Sequence, residues 1–359
     1  FRMKHDPTLD MQDYKQHIAR KRFFLAILLI LTFCAFIFYL GIGSMKLSPG
    51  DVLRVFAGAG EARHRTAVMS VRLPRATAAV LVGAVLAASG AVMQCVLNNS
   101  LASVSTLGVS QGAAFGAAIG IIVFGGGAMT NSNSTAGIAI HNPYIVSLCA
   151  FFFGFLCSVI VILLSRQRIS GSPAGMVLAG TALSAMFSGG STLMQYFADD
   201  TSLGAVVFWT FGNLGNAGWT DLRFIFAVTL FAFLYFYFNR WNYNAMSVGQ
   251  ETARSLGVNT EQVTLVSMAV CSLASAAAVS FVGIIGFVGL VAPHAVRFFT
   301  GNDHRFLIPG SALAGSLLLL AADSAAKLVV PPIILPIGAI MSFIGGPVFL
   351  FLLFRRKYD

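Results

Sequence analysis

Long apolar runs alternate with short polar breaks along this chain, and that rhythm predicts its architecture. A helix needs roughly 20 apolar residues, with about 17 to 25 tolerated, to cross the hydrocarbon of a bilayer. Runs of that kind lie at 23–42, 71–96, 104–125, 144–165, 173–197, 220–239, 262–281, 283–299, 307–329 and 336–354. The expectation is an all-α polytopic membrane protein with about ten transmembrane helices and both termini on one side. Residues 1–22 read as a polar segment, and 23–359 as a single transmembrane domain. The run from Phe23 to Ile42 is too long for a signal-peptide core, so it reads as an uncleaved first span. Two segments fit less well. The 283–299 run is short and contains Pro293, and 203–215 has the length of a re-entrant helix.

Between the runs at 220–239 and 262–281 lies a polar island whose centre is Ser247-Val-Gly-Gln-Glu-Thr-Ala-Arg-Ser-Leu-Gly-Val258. Ser247 and Gln250 have capping-box spacing, and Glu251 falls in a first turn, where the helix dipole favours negative charge. Gly257 offers a left-handed stop, with Val258 positioned to fold back toward Ala253. Asn259 and Gln262 repeat the start signal for the next run. A short, separately capped helix between two spans is the result, a rigid handle for a soluble partner.

Composition removes the soluble alternative. The 359 residues are 57% hydrophobic and 10% charged, with a mean hydropathy of +0.81, too little charge for a soluble chain of this size. A net charge of +10 raises nucleic-acid binding, but the basic residues are scattered at the ends of apolar runs, as suits anionic headgroups. Under a ten-span topology most of them fall on one side: the N-terminal segment, Arg166, Arg168, Arg240, Arg254, Arg297, Arg305 and Arg355-Arg356-Lys357. The positive-inside tendency puts that side, and the island, in the cytoplasm. Cys34, Cys95, Cys149, Cys157 and Cys271 all lie inside apolar runs without metal-ligand spacing and read as packing residues. No Gly-x-x-x-x-Gly-Lys-Ser/Thr occurs, and no catalytic triad or paired carboxylates emerge. The chain carries no P-loop of its own and is expected to do no covalent chemistry.

Four local patterns invite a functional reading. Gly108, Gly112, Gly116 and Gly120 recur every four residues and make a smooth ridge, for packing within one bundle or for lining a pore or dimer contact. Arg72-Leu-Pro-Arg75 opens the second span on the outer side, against the charge tendency; the two guanidinium groups either anchor to headgroups or form a claw for carboxylates of a partner. Asp323 and Lys327, four apart near the outer end of the ninth run, either pair within the helix or present the ammonium outward. Finally, Gly283-Ile-Ile-Gly-Phe-Val-Gly-Leu-Val-Ala-Pro-His294 should form a kinkable helix, with His294 a hydrogen-bonded structural residue or a ligand.

Taken together, Arg72-Leu-Pro-Arg75, Gly90-Ala-Val-Met-Gln94, Leu107-Gly-Val-Ser-Gln-Gly112, Glu251-Thr-Ala-Arg-Ser-Leu-Gly257, Gly286-Phe-Val-Gly-Leu-Val-Ala-Pro-His294 and Leu335-Pro-Ile-Gly338 resemble the permease subunits of type II ABC importers, the vitamin B12 and iron-siderophore (FecCD-like) group. The resemblance runs from about residue 44 to 355. It implies a homodimer in the cell inner membrane with one pathway at its two-fold axis, two cytoplasmic ATPase subunits that bind ATP and Mg, and a periplasmic binding protein that delivers a metal chelate. It also implies that Ser247, Gln250, Glu251, Ala253, Arg254, Leu256 and Gly257 form the coupling helix seated in the ATPase. Arg72, Arg75 and Lys327 would meet acidic residues of the binding protein; Lys327 stands where an arginine is more familiar. The cytoplasmic gate maps onto Asn99 and Leu101, with Ser100 in place of a proline, and onto Pro173 and Ala174 in place of small hydroxyl residues. The rival expectation is an ion- or proton-coupled secondary transporter working without an ATPase, which needs titratable groups near the midplane.

Overall fold

A computed structural model describes residues 7–43, 47–129, 138–140, 142–165, 173–330 and 333–355. The first six residues of the N-terminal segment, the basic positions Arg166 and Arg168, and Arg356-Lys357 lie outside the described residues. The chain folds almost wholly into helices: α1 (Pro7–Gly41), α2 (Pro49–Phe56), α3 (Ala62–Thr66), α4 (Leu73–Val96), α5 (Val109–Ala118), α6 (Pro143–Ser165), α7 (Pro173–Tyr196), α8 (Asp200–Thr210), α9 (Trp219–Val248), α10 (Gln250–Ser255), α11 (Thr260–Val282), α12 (Val288–Thr300), α13 (His304–Leu328) and α14 (Ile337–Arg355). Among the described residues, seven helices are long and apolar enough to cross a membrane, and Val109–Val123 and Ile337–Phe351 are shorter apolar helices.

The boundaries correct several expectations. Within the polar N-terminal segment, α1 begins at Pro7 and runs unbroken into the first apolar run. The second span begins earlier than its apolar residues do: α3, a wider π-helical turn over Ala67–Arg72 and α4 make one continuous helix. The third span is shorter than predicted. Residues 104–107 form a 3₁₀ turn, and α5 starts only after Gly108, which is left-handed at φ 84°. In the 283–299 run helix begins at Val288, since Gly283 and Phe287 both have positive φ and cannot propagate one. Residues 200–210 form a short helix ending in a 3₁₀ turn at Leu214–Asn216. The all-α expectation misses one small ribbon, β1 (Gly127–Met129) paired antiparallel with β2 (Ile138–Ile140).

Burial sorts the helices into a centre and a ring. The apolar windows of α4, α11 and α13 are 78%, 72% and 67% buried, against 22% for α1 and for α7. Alanine, glycine and serine dominate the central three, so their backbones approach closely. Gly83 of α4 lies against Gly315 of α13, where an added Cβ on either would stand 2.4 or 2.3 Å from the other's carbonyl oxygen. The Gly108–Gly120 ridge does the same against α6. A Cβ at Gly112 would meet the Phe153 carbonyl at 2.6 Å, and one at Gly116 the Cys149 carbonyl at 2.2 Å. The ridge therefore packs helices of one subunit.

Two opposite ends of the bundle follow from contacts between helix termini. At one, Cys95 at the close of α4 donates to the Tyr243 carbonyl of α9 at 3.4 Å, and Asn244 bonds Asp303 and His304 at the start of α13. At the other, Arg75 at the start of α4 meets Asp323 near the close of α13, and Asn213 donates to the Val282 carbonyl at 2.7 Å.

Candidate functional site

The handle predicted at 247–258 is present, but its first cap differs. Ser247 belongs to the last turn of α9 and donates to the Asn244 carbonyl at 2.7 Å. The Ser247–Gln250 box does not form, because the break falls at Gly249, whose φ of 147° ends α9 and starts α10 without a side-chain cap. The other end is as the sequence reads. Gly257 at φ 85° donates to the Arg254 carbonyl at 2.9 Å and Val258 to that of Ala253 at 3.0 Å, the paired bonds of a Schellman ending. Asn259 then caps α11 by accepting from the Gln262 amide at 3.0 Å. Ala253 is buried and roots the handle, while Glu251, Arg254, Ser255 and Leu256 are exposed, Leu256 at 70%. Arg254 also reaches back, donating to the Thr260 hydroxyl at 3.0 Å.

One turn before the handle, Asn244 makes a clamp that the hydropathy pattern does not announce. Its amide nitrogen donates to Asp303 at 3.0 Å, and its oxygen accepts from the His304 backbone at 2.7 Å. Asp303 caps α13 and grips Arg305 with bonds of 3.0, 3.1 and 2.7 Å. Burial alone would raise the Asp303 pKa, but the donors from Arg305 and Asn244 outweigh it and pull the pKa down to about 2. Arg305 lies over the Trp241 ring at 4.8 Å, closing the corner. The Gly301-Asn-Asp303 turn is a readable cap signal ahead of α13; the partnership with Asn244 is not, because it joins positions about sixty residues apart.

At the opposite end the predicted claw is folded inward. Arg75 is buried and forks Asp323 through Nε at 2.9 Å and Nη2 at 2.7 Å. Lys327 Nζ sits 3.6 Å from the same carboxylate, so the expected intrahelical pair exists, and it also lies over the Tyr39 ring at 3.6 Å. Tyr39 donates its hydroxyl to Asp323 as well. Asp323 is fully buried and ties α1, α4 and α13 together. Arg72, likewise buried, donates to the Leu40 and Gly41 carbonyls at 2.8 and 3.1 Å. Nothing in the apolar run around Tyr39 signals its part in this cluster.

Of the predicted gate positions, Asn99 and Leu101 lie in the turn after α4, and Pro173 and Ala174 begin α7. Asn99 accepts from the Leu101 amide at 2.9 Å, leaving the Leu101 side chain 46% exposed. Pro173 opens α7; its side chain lies outside the described residues, and Ala174 beside it is exposed. His294 contacts the Leu290 carbonyl at 3.0 Å and meets Phe349 edge-on, a structural setting. Among the described residues, no three His, Cys, Asp or Glu side chains come together as a metal site.

The arrangement is that of a helix bundle with an exposed knob at one end and a buried cluster of charges at the other. The chain as a whole resembles known proteins. A permease described as an ABC transporter protein of Methanocaldococcus jannaschii is 48% identical over 96% of this chain and 97% of its own length. The hemin transport system permease protein of Yersinia pestis is 34% identical, covering 80% of this chain and 83% of its own. The vitamin B12 import system permease protein of Escherichia coli is also 34% identical, over 98% of this chain and 99% of its own. Among solved structures, an inward-facing transporter described as of the metal-chelate ABC type superposes with a TM-score of 0.79 at 29% identity, over 92% of this chain and 98% of that one. Residues 28–355 match the FecCD transport family, and the chain belongs to that family of ABC transporter permeases.

Proposed function

We propose that this chain is the membrane-crossing subunit of an ATP-driven importer for a metal chelate such as a ferric siderophore, haem or a corrinoid. It crosses the cytoplasmic membrane ten times, with both termini inside, and works as a homodimer around one pathway. Two ATPase subunits hold ATP and Mg, and a separate binding protein delivers the cargo. The observation that carries this reading is α10: an exposed helix with its own stop, rooted by one buried alanine and flanked by two long helices. Closure of the ATPase pair moves α10, and α9 and α11 pass the movement to the gate positions at Asn99–Leu101 and Pro173–Ala174. Packed helices shift between discrete arrangements, so the gate opens in an all-or-none way.

The decisive experiment is reconstitution with the cognate ATPase and binding protein. Glu251→Lys and Leu256→Asp should cut cargo-stimulated ATP hydrolysis and uptake by about tenfold while the dimer still elutes intact. Unchanged uptake in both variants removes the handle assignment, and gradient-driven uptake without any ATPase removes the importer reading in favour of a secondary transporter.

Arg72, Arg75 and Lys327 remain the proposed docking residues for the binding protein. Arg75 and Lys327 place two cations on the single carboxylate of Asp323, so this cluster keeps a positive excess for an acidic partner, and Arg72 lies at the same end of the bundle. Arg72→Glu should weaken docking in surface-binding measurements, and the defect should shrink as added salt weakens docking of the unsubstituted protein too. Wild-type docking at low salt would return Arg72 to a packing role.

A further inference from the structure

At the end of the bundle that holds the Asn244 clamp, a groove of about 700 Å³ opens between the N-terminal half of α1 and the start of α13. Tyr14, Lys15, Ile18, Arg22 and Phe23 line one wall, a single face of α1 read at helical spacing, and Arg305 and Phe306 line the other. We propose that this groove binds the headgroup of an anionic phospholipid in the leaflet at that end, with an acyl chain continuing along Phe23. The inference rests on the membrane reading above and on no part of the coupling assignment.

Three features point to this occupant. The wall carries Lys15, Arg22 and Arg305, and no carboxylate lines it among the described residues. Lys15 and Arg22 are exposed. Arg305, by contrast, already shares its charge with Asp303. Lys15 and Arg22, beside the Tyr14 hydroxyl that Arg305 also meets, suit a phosphate, which Arg can fork and Lys can meet as a point charge. The groove also changes character where the chain does. Its polar side chains end at Arg22, and Phe23 begins the apolar run that α1 carries into the bilayer. A free anion has no use for that apolar continuation, whereas a diacyl lipid does; basic pockets between helices at this depth are lipid-headgroup sites. Lastly, α1 lies at the periphery of the bundle, so a lipid can enter sideways.

The test measures displacement of a fluorescent phosphatidylglycerol from the purified full-length protein in mixed micelles. Unlabelled phosphatidylglycerol should displace the probe, while phosphatidylcholine at the same mole fraction and millimolar inorganic phosphate should not. Lys15→Gln with Arg22→Gln should weaken the probe by about thirtyfold, as expected for two basic side chains near a lipid phosphate. The charge-conserving pair Lys15→Arg with Arg22→Lys should bind as the unsubstituted protein does, which separates loss of charge from loss of fold. Arg20→Gln is the control: it removes one charge from the same turn but does not line the groove. Equal displacement by phosphatidylcholine, displacement by free phosphate, or an Arg20→Gln loss as large as that of the double variant would each overturn the site. A failed importer reconstitution would leave these outcomes unaltered.

Discussion

Among individual residues, Asp323 carries the heaviest electrostatic duty. It is a fully buried carboxylate that receives a bidentate guanidinium, an ammonium and a phenol from three helices. An isolated charge in that setting is costly, and removing one member of a buried pair leaves the other uncompensated, a loss of about 3 to 5 kcal/mol. Asp323→Ala leaves Arg75 and Lys327 as neighbouring buried cations and should lower the midpoint of unfolding in detergent sharply. Substituting Lys327 with Met removes the like charge as well and should recover part of the loss, which a pure cavity effect at position 323 would not allow. Arg75 also shows how a residue type is read rightly and its partner missed. The fork geometry of guanidinium on carboxylate was legible from Arg72-Leu-Pro-Arg75. That the carboxylate comes from the same chain, 248 positions away, was not.

For single elements, the handle and the glycine ridge obey local rules. The stop of α10 was readable because a left-handed residue at the helix end strongly favours glycine, and Gly257 stands at the required place. Its start was misread because Ser247 and Gln250 satisfy a spacing rule, yet α9 extends to Val248 before Gly249 breaks it. The ridge along α5 was equally visible, while its partner had two readings. The carbonyls of Phe153 and Cys149 fill the space where side chains would stand, so α6 is that partner. Gly116→Val should therefore separate α5 from α6 and cost about 3 kcal/mol, at the upper end of overpacking penalties. A thermal-unfolding series through Gly116→Ala and Gly116→Val checks the graded loss, and a flat response would contradict the close contact.

On the scale of the whole molecule, α13 joins the two ends. From Asp303 to Asp323 it rises roughly 30 Å, about the hydrocarbon thickness of a bilayer. One end is clamped to the last turns of α9 by Asn244 and the other holds the Arg75 cluster. On the proposed mechanism, displacement of α10 reaches α13 through α9 and this clamp. Asn244→Ala removes both bonds of that clamp and should lower cargo moved per ATP hydrolysed by several-fold, with hydrolysis itself retained. If hydrolysis and transport fall together in proportion, Asn244 serves stability alone.

The sequence by itself determined that the chain is a multi-span helical membrane protein, that a short helix lies between two long ones, and where that helix stops. Apolar length, glycine stops and capping side chains act within a few residues, so they are written in the local order of the chain. Tertiary structure alone decided which helices form the centre, that α6 meets the glycine ridge, that Asp323 takes up the Arg75 fork, and that Asn244 ties the end of α9 to α13. Those are pairings between distant segments, chosen by the shape and charge of surfaces that exist only once the helices have packed.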